Sequence, residues 1–428
     1  MLNKCRALYR HLKTPLYRNS LFLIANAFAT TGLGYFFFIV VARYFKEDAS
    51  VVSLGTTIIS AMTLLTIISR LGLDTSLVRF LPKSDKQKEM INSCFSINII
   101  LSIIAASIFI LVTGFWFKDL SFIRNNALFA VSFILFTVAL TVSMTMESVF
   151  IFKRRADYIL SKNIIISLLK IAILLALVLI LHFRTFAIVS ALGLANGIVV
   201  VIYLFIFIPR LQKGYRPMFN IDTKALRNLW KYSAGNYFAG LFSALPVLGL
   251  PLIILNRLGV STNKPAEFNF AWMIAGLIFV IPGAVAQSMF AEGSHFENDL
   301  KRLTYRSYKF TIVLLVPAII VLLLLGKWLL FAFGRSYYEN ALPLLRVMVL
   351  SGIFIGINSV YYTVLQVDKK ILELIVINCA SALAVLIGSY LIIPAAGIMG
   401  IGYVWITVQA IVSIYIVSRM IVRYKRHT

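Results

Sequence analysis

The sequence predicts an all-α integral membrane protein of twelve transmembrane helices in two six-helix halves. The first observation is composition: the 428-residue chain is 60% hydrophobic and 13% charged, with a mean hydropathy of +0.91. Soluble domains run to about 45–50% apolar and about 25% charged. The second is that the apolar residues gather in runs long enough to cross a bilayer. The third is that basic residues alternate in density from one connecting segment to the next.

A spanning helix needs about 20 mainly apolar residues at ~1.5 Å rise each. Segments 19–43, 50–69, 91–116, 127–152, 161–182 and 186–208 meet that test in the first half. Segments 232–256, 267–290, 308–326, 342–366, 371–393 and 398–418 meet it in the second, the last two divided by a tight turn at Pro394–Gly400. Residues 1–18 carry Lys4, Arg6, Arg10, Lys13 and Arg18 without an apolar run, and no cleavage site follows the first span. They read as a cytoplasmic interfacial lead-in rather than a signal peptide. The expected organisation is therefore 1–18 interfacial, 19–208 the first half, 209–231 a cytoplasmic linker, 232–418 the second half and 419–428 a tail.

Orientation follows the Lys/Arg bias of the flanking segments. Of 41 basic residues, 30 fall on the side of the N-terminus and 9 on the other, which places both termini in the cytoplasm; Lys170 and Arg346 lie within spans. Most of the net charge of +25 is this topology signal, so it does not by itself demand an anionic substrate. No stretch is polar enough to be a nucleic-acid-binding domain. Cys5, Cys94 and Cys379 are far apart, odd in number and match no metal or redox spacing, so neither cofactor nor metal is expected.

Six spans on each side of the linker start both halves from the same side, so any internal repeat is parallel, with a pseudo-two-fold along the membrane normal and a central cavity at the repeat interface. The first and seventh spans align at an offset of 214 residues: Arg43 matches Arg257, and Gly32 and Gly34 fall near Pro246, Gly249 and Pro251. Paired Gly/Pro positions mark either a transport cavity, where freed backbone groups meet water, or close helix packing.

The loops are short, and the outer ones hold few acids: Glu47, Asp48, Asp119, Glu267 and Glu339. No P-loop, HExxH or GxSxG motif is present, and His11, His182, His295 and His427 form no cluster. The sequence thus reads as a non-enzyme, and attention turns to ionisable groups in the spans, which are costly there and point to function. Glu147 lies near the cytoplasmic end of the fourth span and Lys170 about 12 Å deep in the fifth. Glu147 reads either as a coupling group or as a structural partner of Lys170 or of Lys153–Arg155. Arg43 and Arg257, closing matching spans, either anchor to lipid phosphates or face a cleft. Arg346 either snorkels outward or faces inward. Arg79 either pairs with Asp74 or catches an incoming anion, to which its planar fork is suited. Asn26, Asn98, Asn163, Asn196, Asn236, Gln287, Asn358 and Gln366 are candidate sugar contacts or interhelical hydrogen bonds. Tyr35–Phe38, Tyr337–Tyr338 and Tyr361–Tyr362 read as stacking platforms or interfacial belts.

Four features together resemble the polysaccharide (O-antigen type) flippases of the multidrug/oligosaccharidyl-lipid/polysaccharide exporter superfamily. They are Val41-Ala42-Arg43-Tyr44 at the end of the first span, the stretch Ser69 to Pro82 with its Gly72-Leu73-Asp74…Arg79-Phe80 run, Phe333-Gly-Arg-Ser-Tyr337…Ala341-Leu-Pro-Leu-Leu345, and the 6+6 layout. Tyr44-Phe45-Lys46-Glu47-Asp48 departs from the Leu-Gly-Pro-type turn frequent in that family. The resemblance implies an inner-membrane flippase that turns an oligosaccharide on a polyprenyl diphosphate carrier to the outer leaflet for cell-surface polysaccharide biosynthesis. Its partners are then the lipid-linked oligosaccharide, membrane lipids, H+ or Na+, and other membrane proteins of the polysaccharide pathway. On this reading Arg43, Arg79, Lys170, Arg257 and Arg346 bind substrate, while Glu147 and Asp74 couple an ion. The rival readings are an ion-coupled small-molecule or multidrug exporter of the same superfamily, a membrane glycosyltransferase, and a scramblase or assembly partner.

Overall fold

A computed structural model describes residues 15–46, 48–81, 84–180, 183–259, 262–293 and 300–425. Among them the regular secondary structure is helical throughout: α1 (Pro15–Tyr44), α2 (Ala49–Arg70), α3 (Leu73–Phe80), α4 (Gln87–Trp116), α5 (Ser121–Asn125), α6 (Ala127–Phe152), α7 (Ala156–Leu179), α8 (Thr185–Ile202), α9 (Thr223–Leu258), α10 (Lys264–Gly293), α11 (Leu300–Phe331), α12 (Arg335–Val367) and α13 (Ile371–Lys425). A π-helical turn, Tyr203–Phe207, and the short Ile208–Leu211 extend α8. Eleven helices among the described residues are long and apolar enough to cross a membrane. With no water in the bilayer core, a helix is the element that satisfies its backbone from within.

The last of these runs would be about 80 Å long if straight, more than twice a bilayer core. It is not straight. Gly397 sits at φ 56°, ψ −148° inside α13, a region that only glycine occupies readily. A Cβ on Gly388 would lie 2.9 Å from Val404 Cγ1, and one on Gly400 2.7 Å from Ile392 Cγ2. At the far ends, Tyr415 Oη donates to Glu373 Oε1 at 3.4 Å, and Arg419 Nε lies 3.7 Å from the same oxygen. These pairs are all centred near residue 396, so α13 is an antiparallel hairpin whose glycines let its arms touch. The reversal falls in the Pro394–Gly400 segment expected from sequence.

A second backbone feature repeats along the chain. After α6, the N–H groups of Lys153, Arg154 and Arg155 donate to the carbonyls of Val149, Ile151 and Phe150. After α12, those of Asp368, Lys369 and Lys370 donate to Val364, Gln366 and Leu365. Every pair is 215 residues apart. The dihedrals match as well: Lys153 (φ −74°, ψ 0°) with Asp368 (φ −70°, ψ −1°), and Arg154 (φ 55°) with Lys369 (φ 59°). Both are left-handed helix ends of the kind usually built on glycine, here carrying a cation next to the negative helix terminus. Side chains repeat the relation. Asn163 Nδ2 on α7 donates to Asn26 Oδ1 on α1 at 3.0 Å, and Asn378 Nδ2 on α13 donates to the Ala239 carbonyl on α9 at 3.0 Å.

The chain forms two compact units, Met1–Val41 with Ala61–Tyr237, and Ala42–Ser60 with Phe238–Thr428. The end of α1, the following loop and the first half of α2 thus group with the second unit. Within it, Arg43 Nε and Nη2 donate to the carbonyls of Ala332 at 2.7 Å and Phe331 at 2.8 Å, and Ser53 Oγ donates to the Thr262 carbonyl at 3.0 Å. In the first unit, Leu71 (φ 48°) and Gly72 (φ 72°) turn the chain from α2 into α3. Leu73, Leu77 and Leu81, spaced four apart along one face, are buried, and Asp74 Oδ2 accepts from Arg70 Nη1 at 2.7 Å. The Gly72-Leu73-Asp74 run is therefore a helix-turn lock.

Two predictions test these backbone features by thermal unfolding in detergent. Gly397→Ala destabilises the protein by about 1–3 kcal/mol, because alanine is strained at that dihedral pair. Arg154→Gly and Lys369→Gly each raise the unfolding temperature, by relief of about 1 kcal/mol of left-handed strain.

Candidate functional site

The polar groups of the first unit converge where α1, α6 and α7 meet. α6 and α7 are an antiparallel hairpin turning at Lys153–Arg155, so residue 147 faces residue 162 across it. Lys162 Nζ lies 2.9 Å from Glu147 Oε1 and donates further to the Ser143 carbonyl at 2.8 Å and Ser143 Oγ at 3.1 Å. All three ammonium protons are used, as an ammonium that is 1% exposed requires. Asn163 Nδ2 also donates to Glu147 Oε1 at 3.0 Å and, by its bond to Asn26, ties the pair to α1.

This arrangement corrects the sequence reading. The expected partners of Glu147 were Lys170 or the Lys153–Arg155 cluster, whereas the structure pairs it with Lys162. Lys162, the second residue of the expected 161–182 span, was tallied with the flanking charges; α7 in fact begins at Ala156 and carries Lys162 well inside the helix. Lys170 lies eight residues beyond Lys162, about 12 Å further along the helix, out of reach of Glu147. Arg155 is engaged elsewhere, donating through Nε and Nη2 to Asp157 at 2.9 and 2.7 Å and lying 4.4 Å from the Tyr158 ring centre. Lys153, over the Phe152 ring at 4.7 Å, has its ammonium pulled below the ordinary lysine range by burial.

Lys170 is half-buried, two turns above Asn163 on the same face of α7. Its Nζ rests 4.9 Å from the Phe37 ring centre on α1, a cation–π contact, and no carboxylate pairs with it among the described residues. Asn26 and Phe37 likewise share a face of α1, three turns apart, so the α1–α7 seam has a lower amide rung and an upper ammonium–aromatic rung. A Cβ on Gly32 or Gly34, in the stretch of α1 between them, would meet nothing within 4 Å among the described residues. These glycines therefore do not serve close helix packing. α1 and α9 both stay helical through their Gly and Pro positions, although Pro246 and Pro251 withhold the hydrogen bonds that Phe242 and Val247 carbonyls would otherwise accept.

The remaining candidates lie apart from this seam. Arg43 is exposed and caps the C-terminus of α11. Arg257 is exposed in the last turn of α9, its guanidinium carbon 3.4 Å from the Tyr390 ring centre. The two arginines matched by the repeat thus have different contacts. Arg346 is exposed on α12, without an ion pair among the described residues. Asp74 is paired with Arg70, and the side chain of Arg79 lies outside the described residues, as do those of Asn236 and Gln287 and all of His11, His182, His295 and His427.

Several amides make the interhelical bonds expected of them. Asn98 Nδ2 donates to Thr145 Oγ1 at 2.9 Å, and Asn358 joins Gln409 and Ser413 of α13 at 2.9 and 2.8 Å. Tyr337 and Tyr361, read as stacking platforms or belt residues, are buried, and Tyr361 Oη donates to Glu373 Oε1 at 2.9 Å. Glu267, counted as an outer loop acid, is buried at the start of α10 between Lys264 Nζ at 3.0 Å and Asn340 Nδ2 at 3.1 Å. Among the described residues no group of His, Cys, Asp and Glu could hold a metal ion. Sequence reading missed Lys162 as a spanning charge; the signal was available in the hairpin spacing, once α7 is started directly after the turn.

The ion pair predicts a non-additive response. Lys162→Met leaves a carboxylate without its cation and costs about 3 kcal/mol, the scale for breaking a buried pair. Lys162→Met with Glu147→Gln costs less than the single change, and a double-mutant cycle on unfolding temperatures measures the difference.

The comparisons with known proteins agree with this architecture. The chain resembles an inward-facing multidrug resistance MATE family transporter of the MOP superfamily at 13% identity, covering 93% of this chain and 96% of that one, with a TM-score of 0.72. An outward-facing MATE family transporter of that superfamily matches at 14% identity over 97% and 96% of the two chains, TM-score 0.62. A MOP superfamily transporter from Pyrococcus furiosus Vc1, described as having a binding pocket of reversed polarity that suggests a different function, matches at 14% identity over 94% and 93%, TM-score 0.64. At such identities the likeness is one of fold. No curated protein matches the chain in sequence. A family described as "Polysaccharide biosynthesis protein" matches residues 16–291, well over half the chain, in line with the flippase resemblance of its motifs. This multi-pass membrane protein belongs to the polysaccharide biosynthesis protein family.

Proposed function

We propose that the protein is a flippase that moves a polyprenyl-diphosphate-linked oligosaccharide from the cytoplasmic to the outer leaflet, for cell-surface polysaccharide biosynthesis. The carrying observation is the charge of the α1–α6–α7 seam. Its carboxylate, Glu147, is neutralised by Lys162, and Lys170 adds an ammonium with no acidic partner among the described residues. A site of net positive charge suits a diphosphate and disfavours a cation. Sugars and diphosphate are too polar for hydrocarbon, so they need a hydrated path, while a prenyl tail can remain in lipid. The work is binding and release, and the protein is not an enzyme on this reading.

The proposed architecture has twelve crossings, α13 counting twice, in an inner membrane with both termini cytoplasmic. The halves, 19–208 and 232–418 joined by 209–231, rock about a central cavity. Lys170 is the leading substrate contact, with Arg257, Arg346 and Arg79 as secondary ones; Arg43 reaches substrate only by leaving the α11 carbonyls. Coupling to H+ or Na+ through Glu147 or Asp74 requires each to exchange its present cation partner. Other membrane proteins of the polysaccharide pathway would supply the substrate. The alternative, an ion-coupled small-molecule exporter, draws support from the multidrug transporters of similar fold, against the charge of the seam.

The test is complementation of a host lacking its own polysaccharide flippase, with the protein's cognate glycan pathway supplied. Restored surface glycan, together with loss of cytoplasmic-side precursor, is the expected result. Lys170→Ala should cut export at least about tenfold, the value of a charge-assisted contact of about 1.5–3 kcal/mol. Export undiminished by Lys170→Ala removes the site assignment, and absent precursor points to synthesis instead.

A further inference from the structure

The segment between the repeat halves is an ordered strap rather than a slack connection. Four polar ties fix it along one helix. Gln212 Nε2 donates to Gln87 Oε1 at 3.2 Å, Asn92 Nδ2 donates to the Arg216 carbonyl at 3.0 Å, the Asn220 N–H donates to Ser96 Oγ at 3.1 Å, and the Asp222 N–H donates to Ser93 Oγ at 2.9 Å. Asn92, Ser93 and Ser96 are buried polar residues near the start of α4, and these bonds explain their presence. Tyr215 plants its ring in the core of the first unit, 3% exposed, where burial pushes its phenol above the ordinary tyrosine range.

From Gln87 to Ser96 the helix rises about 13 Å, and residues 212–220 climb beside it in the same direction. The chemistry changes along the climb. Lys213 is exposed near the helix start and Arg216 about a turn up, beside Asn92, whereas Met218 and Phe219 are 67% and 69% exposed above them, between the levels of Asn92 and Ser96. Non-helical backbone at that level needs protein partners, and the three α4 side chains supply them. Bases below and bare apolar side chains above reproduce the order of an anionic leaflet, phosphates first and acyl chains second.

We infer that residues 213–219 form a lipid-docking knuckle, with Met218 and Phe219 inserted among acyl chains of the cytoplasmic leaflet and Lys213 and Arg216 on anionic headgroups. The occupant is the bulk anionic leaflet, and the knuckle holds the inter-half linker at a fixed height in the membrane.

The experiment places a nitroxide at position 219, and separately at 213, in full-length protein whose three native cysteines are replaced by serine or alanine. The samples are reconstituted in vesicles of phosphatidylcholine with or without phosphatidylglycerol. Collisions with oxygen report acyl chains, and those with a soluble nickel chelate report water. The expected result is that oxygen reaches site 219 several-fold more than the chelate does, with the reverse at 213. Lys213→Gln with Arg216→Gln should shift site 219 toward water in phosphatidylglycerol vesicles. Chelate access at 219 equal to that at 213 overturns insertion and means the knuckle faces an aqueous vestibule. A depth at 219 that ignores both phosphatidylglycerol and the basic residues overturns the anionic-headgroup assignment.

Discussion

Lys162 and Glu147 face each other at 2.9 Å inside the α6–α7 hairpin, and much of the first unit is arranged around the need to satisfy them. A charge withdrawn from water is costly unless paired and hydrogen-bonded. Here the ammonium has three acceptors, and the carboxylate oxygen it meets also receives Asn163. Asn163 in turn brings Asn26, and with it α1, into the same network. The same constraint recurs elsewhere on other groups. Asn92, Ser93 and Ser96 satisfy the backbone of the inter-half strap, and Arg43 satisfies the last carbonyls of α11. In lipid, such groups find partners within the protein or not at all.

The two hairpin turns show how a repeat persists when its sequence has drifted. Lys153-Arg154-Arg155 and Asp368-Lys369-Lys370 share little beyond basic character, yet their hydrogen bonds and left-handed residues correspond position for position. Each fixes the register of the helices it joins. In the first unit that register sets 147 opposite 162 and keeps Lys170 clear of Glu147. In the second, the α13 hairpin sets Glu373 against Tyr361, Tyr415 and Arg419. The two turns thus share a backbone plan and differ in the side chains it carries.

The spanning helices were legible in the sequence because hydropathy acts over whole segments, and errors of a few residues average out. The reversal at Pro394–Gly400 was legible for a local reason: Pro and several Gly sit where a 55-residue helix must turn. The site was legible only in part. Glu147 and Lys170 stood out as charges in apolar runs, but partner choice depends on register, and a five-residue error at the start of α7 was enough to misassign it. Arg43 and Arg257 occupy matching sequence positions, yet one meets carbonyl oxygens and the other an aromatic ring. Those contacts come from helices far away in the chain, which no local pattern reveals. The buried positions of Tyr337, Tyr361 and Glu267 escaped for the same reason.

On the proposed reading, a seam whose Lys170 ammonium meets no carboxylate among the described residues, in the polysaccharide biosynthesis protein family, favours an anionic lipid-linked sugar as the cargo. The most direct measurement is transfer across a bilayer by the purified protein alone. A fluorescent saccharide on a short polyprenyl diphosphate is placed in one leaflet of vesicles, and a membrane-impermeant lectin or reductant reports its arrival in the other. The account predicts protein-dependent transfer that slows in Lys170→Ala at unchanged folding. Vesicles in which the saccharide lipid stays in place, while a lipophilic cation is moved by the same protein, would contradict it.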